Sequence, residues 1–201
     1  MEIDTAALAR SLDELTSGLT TIDSAEPLTS RLAVTLAAAR DVLQVDCVGL
    51  LLLDAAGALR TVASTGPGAD SLERAEEDLG VGPGVDALRT AAPVVVDDLA
   101  AIPSYAQLWD LVADDGVRAV VCSPVRSGGE VVGTLSVTLP QTHHWAPREV
   151  AAIGAFAEVT GTLLALIARS APPLLLDPSA RARADGRSPV TASDGEVGDA
   201  G

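Results

Sequence analysis

The stretch VAAIGAFAEVTGTLLALIA, residues 150–168, carries one charged side chain, Glu158, in 19 residues. A helix that is apolar all round has two stable fates: it crosses a bilayer, or it is covered on two sides inside a protein. Placing Glu158 near the middle of a bilayer costs on the order of 3 kcal/mol on insertion scales. Two threonines and two glycines add little hydrophobicity, and the flanks hold neither an aromatic belt nor a basic cluster. The pattern therefore predicts no membrane contact. It predicts a long closing helix, from about Pro147 to Arg169, with one side on a sheet and the other on N-terminal helices or a second subunit, which implies a homodimer.

Such a helix needs a sheet, and strands are legible upstream. RAVVCSPV (118–125) and EVVGTLSVTL (130–139), joined by RSGG, read as a hairpin. CVGLLLLD (47–54) and LRTVAST (59–65), joined by AAGA, read as another. The unbroken apolar run of the former predicts a strand covered on both faces, hence an inner one. PVVVDDL (93–99) reads as a further short strand.

Helical spacing recurs at Leu8, Leu12, Leu15 and Leu19, and again from near Pro27 at Leu28, Leu32, Leu36 and Leu43. An acidic helix over 69–78, a short one over 86–91 and one over 104–116 ending at Gly116 complete the order. From Ala171 the chain turns to Pro, Ser, Asp, Gly and Ala, too little apolar surface to offset its ordering entropy. The expected organisation is one domain over 1–170, with a core over 27–168 and a helical lead-in over 1–26, followed by a disordered tail over 171–201.

Charge and residue usage remove several function classes. All 13 basic residues are arginine. A phosphate-binding P-loop, a protein kinase and a pyridoxal enzyme each require a lysine, so none of these chemistries is available. A net charge of -15, with no clustered arginines, argues against direct nucleic-acid binding. The start, MEIDTAALAR, lacks the basic and apolar regions of a signal peptide, so the expected location is cytoplasmic. Cys47 and Cys122 each fall inside a strand and read as small buried hydrophobes.

Three glycines crowd LGVGPGVDALRTAAPVVVDDL, residues 79–99. A dinucleotide fingerprint follows a strand and spaces its glycines G-x-G-x-x-G. Here the spacing is G-x-G-x-G after an acidic helix, where Glu76, Glu77 and Asp78 would repel a phosphate. The loop is instead expected to be a turn in which glycines reach positive φ and Pro83 opens the next helix.

The segment 79–101, the hairpin VRAVVCSPVRSGGEVVGTLSVT (117–138) and HHWAPREVAAI (143–153) together resemble, in order, the corresponding segments of the GAF domain. The likeness covers roughly residues 27–168 and is nearest to GAF domains of bacterial regulators that precede an ANTAR RNA-binding domain. In this chain a tail stands where that output domain would begin, so RNA antitermination is not expected. The resemblance implies an α+β, profilin- and PAS-like fold: an antiparallel sheet of five to six strands, with N- and C-terminal helices on one face and short helices on the other.

It also implies a cavity between the sheet and the short helices. Candidates to line it are Tyr105, Trp109, Arg118, Cys122, Thr134 and Ser136, with Tyr105 and Trp109 one helical turn apart and able to stack on a planar ligand. The expected function is sensory or regulatory, through an unknown small molecule and an unknown protein output partner. A scaffold with a closed cavity is the alternative, and a haem or thiol redox sensor a third reading.

Catalysis is not expected. The catalytic GAF family, the free methionine-R-sulfoxide reductases, carries cysteines where this chain has Gly84, Val85 and Ala106, and a thiol inside an apolar strand is a poor nucleophile. No metal site or cofactor is expected either. His143 and His144 are the sole histidines, too few for a metal set, and read as loop residues ahead of Trp145. No cysteine–histidine pair suits a bilin. The cyclic-nucleotide set of Asn, Lys, Phe, Asp and Glu cannot be completed without lysine and with Phe156 in the last helix, although Asp97 or Asp98 matches its acid.

Overall fold

A computed structural model describes residues 28–170. The leucine repeat over 5–19 and the tail after 170 lie outside the described residues. Helix α1 (Leu28–Leu43) leads into the hairpin β1 (Cys47–Leu53) and β2 (Leu59–Ser64). Helices α2 (Pro67–Leu79) and α3 (Pro83–Thr90), the short strand β3 (Val94–Val96) and helix α4 (Ala106–Val112) follow. The hairpin β4 (Ala119–Ser127) and β5 (Glu130–Leu139) and the long α5 (Pro147–Ser170) close the chain.

The five strands form one antiparallel sheet in the order β2-β1-β5-β4-β3. β1 is an inner strand, as its unbroken apolar run requires. The predicted helix over 104–116 is split: α4 is flanked by 3-10 turns at Pro103–Tyr105 and Ala113–Asp115, ending at Gly116 with φ +78°. Pro103 accounts for the tight start, since its ring fixes φ and removes a donor.

Strand alternation sorts side chains into two layers. Val48, Leu50, Val121, Leu135 and Val137 face α1 and α5, where Leu32, Leu36, Ile153 and Phe156 complete the larger core. Val120 and Cys122 face the other way, toward Leu72 of α2, Ala87 of α3 and Leu108 and Val112 of α4. α5 is long and apolar enough to cross a membrane by length and composition, yet Ala152, Ile153, Phe156, Ala157 and Leu163 are buried in the protein core. It approaches β4 so closely that a Cβ on Gly161 would lie 1.9 Å from the Arg126 carbonyl oxygen.

Candidate functional site

α2 begins at Pro67 and ends where Gly80 takes the left-handed conformation (φ +64°) and its N–H bonds the Glu76 carbonyl at 2.9 Å. Between those ends, Ala69, Leu72, Glu73 and Glu76 are buried against the sheet. They are spaced i, i+3, i+4 and i+7, so the stripe that docks the helix carries two carboxyls.

Both side chains are fully buried. Glu73 accepts a hydrogen bond from the Ser136 hydroxyl on β5. Glu76 accepts one from the Gly84 N–H at 2.8 Å, at the start of α3. One oxygen of each carboxyl, Oε2, has no partner, and neither has Thr134 Oγ1 on the same sheet face. Buried polar atoms are nearly always hydrogen-bonded, so three orphans in one place are unusual.

Glycines make the room. A Cβ on Gly49 of β1 would lie 2.3 Å from Glu73 Oε1, and one on Gly82 would lie 2.2 Å from Glu76 Oε1. A Cβ on Gly84 would lie 2.2 Å from Glu76 Oε2 and 3.2 Å from Thr134 Oγ1, so two of the orphaned oxygens converge on one point. The glycine loop is a turn between helices, as expected, with Gly80 and Gly82 at positive φ. Gly84 differs: it lies within α3 and serves close approach to Glu76.

The electrostatics follow from this packing. Burial pushes the Glu73 carboxyl up to about 8, against the pull of the Ser136 hydrogen bond and with a further push from Asp70. Burial also holds Glu76 well above the usual carboxylate range; Glu73 and Asp86 add to this, and the Gly84 N–H opposes it. Among the described residues no arginine contributes to either shift. Cys122, on the same face, is pushed up by burial and then by Glu76 and Glu73, which makes it a poor nucleophile.

The sequence candidates separate into two groups. Cys122, Thr134 and Ser136 lie on the sheet face that meets Glu73 and Glu76, and Cys122 pairs with Ser136 across the β4–β5 ladder. Tyr105 is buried beside them, but its hydroxyl donates to Asp86 Oδ2 at 2.6 Å instead of facing open space. Arg118 and Trp109 form a separate cluster. Arg118 bonds Asp98 at 2.6 and 2.8 Å and its guanidinium stacks 4.9 Å over the Trp109 ring, so that ring is already covered.

His143 and His144 are engaged locally. His143 Nε2 lies 3.0 Å from Glu149 Oε2, and His144 Nδ1 lies 2.8 Å from Asp97 Oδ2. Between them and α5, the buried Trp145 donates its indole N–H to the Val96 carbonyl at 3.2 Å, tying the helix start to β3. Among the described residues no cluster of three or more His, Cys, Asp or Glu can hold a metal ion. An open groove of about 500 Å³ lies elsewhere, between β2 and α2, lined by Thr61, Ser64, Asp70, Arg74 and Glu77 among others.

Glu73 and Glu76 are the residues that sequence reasoning missed. Their acidity reads in the sequence only as repelling a phosphate, whereas their helical phase with Ala69 and Leu72 puts them on the buried stripe.

The family described as GAF domain matches residues 27–164. No curated protein matches the chain significantly. Among solved structures, the chain is similar to the free methionine-R-sulfoxide reductase of Neisseria meningitidis in complex with its substrate, with TM-score 0.64 and 20 % identity over 85 % of this chain and 96 % of that one. It is similar to the GAF domain of a phosphoenolpyruvate-protein phosphotransferase from Coxiella burnetii, with TM-score 0.63 and 18 % identity over 91 % and 98 %. It is also similar to a methyl-accepting chemotaxis protein, residues 122 to 287, with TM-score 0.60 and 18 % identity over 80 % and 98 %.

The first of these corrects the expectation that the chain is not an enzyme. A reductase shares the fold over most of its length, so the fold includes enzymes. A scaffold does not fix the chemistry placed on it.

Proposed function

The chain belongs to the GAF domain family, and on that premise we propose that it is a sensory or regulatory domain that binds a small molecule between the sheet and helices α2 and α3. The observation that carries this reading is the set of buried, unpartnered oxygens on Glu73, Glu76 and Thr134. Leaving a buried polar group unpaired costs about 1–3 kcal/mol, more for a carboxyl, and a fold that needed only a core would place apolar side chains there. The resemblance to GAF domains of bacterial regulators and the fold shared with a chemotaxis protein support a place in signal transduction through a partner protein.

In this reading a ligand that completes the hydrogen bonds shifts the population of α2–α3 arrangements, with Gly80 and Gly82 as the hinge. α5 reports the shift to a second copy or to an output partner. Cys122, Thr134 and Ser136 are the sheet-side contacts; Tyr105 acts through Asp86, and Trp109 and Arg118 brace the rim.

The test is native mass spectrometry of the purified chain, to find what co-purifies, followed by hydrogen exchange with and without that molecule. Protection is expected in α2, α3 and α5. A chain that carries nothing and whose α5 exchange responds to no member of a metabolite panel overturns the sensory reading. A closed scaffold is the reading that result would favour.

A further inference from the structure

Three groups at the site lack partners, and all three are fully buried: Glu73 Oε2, Glu76 Oε2 and Thr134 Oγ1. Each of them can accept a hydrogen bond. Two are carboxyl oxygens, and the third is a hydroxyl that lies, with Glu76 Oε2, within 3.2 Å of the point where Gly84 carries no side chain. Ser136 already donates to Glu73, and the Gly84 N–H to Glu76, which leaves the Thr134 hydroxyl and the carboxyl protons themselves as the donors at hand.

We propose that the space between Glu73, Glu76 and Thr134 is the seat of a primary ammonium head group, either that of a small amine or the ammonium ion itself. The inference rests on the reading of this face as the ligand site and names its ligand class. A primary ammonium group offers three N–H donors and the ammonium ion four, with no acceptor in either, which suits three acceptors. A hydroxyl offers one donor and a primary amide two. An anion would meet two carboxyls without a neighbouring cation.

The chain has no lysine to supply such a group internally, and Arg74, the arginine on α2, is 70 % exposed and paired with Asp70 at 3.0 Å. The glycines at 49, 82 and 84 keep the carboxyls bare, since a Cβ at any of them would lie within 2.3 Å of a carboxyl oxygen.

The ammonium enters as a carboxyl proton leaves to solvent, so the exchange conserves charge within the site. The titratable groups coupled to it by charge are Asp70 on α2, Asp86 on α3, Cys122 on β4 and Tyr105 ahead of α4, none of them cationic. Affinity therefore rises with pH, by up to about tenfold per pH unit for one proton released, until Glu73 is ionised at about 8.

The experiment is thermal unfolding of the full chain at about pH 7.5 with n-propylammonium chloride or ammonium chloride. Controls at equal ionic strength are sodium, potassium and tetramethylammonium chloride and n-propanol. At about ten times its Kd a bound amine raises Tm by about 3–6 °C. Calorimetry in two buffers of different ionisation enthalpy should show release of about one proton. The Tm rise is expected to vanish in Glu76→Gln and to weaken in Thr134→Val, which approaches the site from the sheet and serves if the helix variant misfolds.

Ammonium and propylammonium salts that raise Tm no more than sodium chloride overturn the proposal, as does an equal effect from tetramethylammonium or an undiminished effect in both variants. If they fail while a neutral or anionic compound protects α5, the sensory reading stands and the ligand class falls. If ammonium binds through Glu76 but leaves α5 exchange unchanged, the ligand class stands and the sensory reading falls.

Discussion

Replacing Glu73 by Gln tests the buried carboxyl directly. In the unfolded chain Glu73 titrates at its ordinary value of 4.5, and in the folded protein at about 8. Between those values the folded state binds a proton that the unfolded state does not. The stability that the protonated carboxyl contributes is therefore complete below pH 4.5 and is lost as pH rises through about 8.

The slope is about 1.4 kcal/mol per pH unit for one proton, so Glu73 alone removes about 4 kcal/mol between roughly pH 5 and pH 8. A domain of this size has roughly 5–15 kcal/mol in total, so the effect is large. Asp54, Glu77, Asp97, Asp98 and Glu149 are held below their ordinary values by hydrogen bonds and act at lower pH. His144 is raised by its bond to Asp97 and adds a fall of the same sign near neutrality, but it is common to both proteins and cancels in the difference. Urea unfolding followed by tryptophan fluorescence at each pH should show wild-type stability falling with pH and the fall shallower by about one proton in Glu73→Gln. A wild-type profile that is flat or rising over this range, or an unchanged slope in the variant, refutes the buried pair.

Gly84→Ala is expected to destabilise by about 1–3 kcal/mol, because its Cβ would meet Glu76 Oε2 at 2.2 Å; in a Glu76→Ala background the penalty should shrink, which a double-mutant cycle in urea measures. In α5, Gly161→Ala should lower Tm, since the obstruction is the Arg126 backbone at 1.9 Å, while Gly154→Ala, with nothing within 4 Å, should raise stability by about 0.5–1 kcal/mol. If both alanines act alike, the close crossing of α5 over β4 is wrong. Cys47 and Cys122 are both buried, so an aromatic disulfide reagent should modify them only at the rate of opening, and a fast native-state reaction of either thiol would contradict the packing.

The sheet and its long covering helix were legible because each rests on a pattern that local sequence carries. Strict hairpin punctuation marked β4 and β5, and the long apolar run marked a closing helix that buries a face in the larger core. The candidate site was legible in halves. Cys122, Thr134 and Ser136 alternate toward one face, which period two predicts, but what faces them comes from another element. Tyr105 and Trp109 share a helical phase, yet one is claimed by Asp86 and the other by Arg118, partners 19 residues upstream and nine downstream that no local pattern announces.

The glycine loop and the acidic helix are intelligible only together. Taken alone, three glycines suggest a phosphate cradle and three acids a solvated surface. In the fold, Gly82 and Gly84 lack side chains because Glu76 occupies that space, and Gly49 lacks one because Glu73 does. Fully buried carboxyls, set in glycine and each with one oxygen unpartnered, are costly to keep. A chain selected for packing alone would gain stability from a leucine at 76 and a larger residue at 84. That it carries the acid and the glycine together is the reason to seek a ligand at this place, ahead of the open groove beside β2.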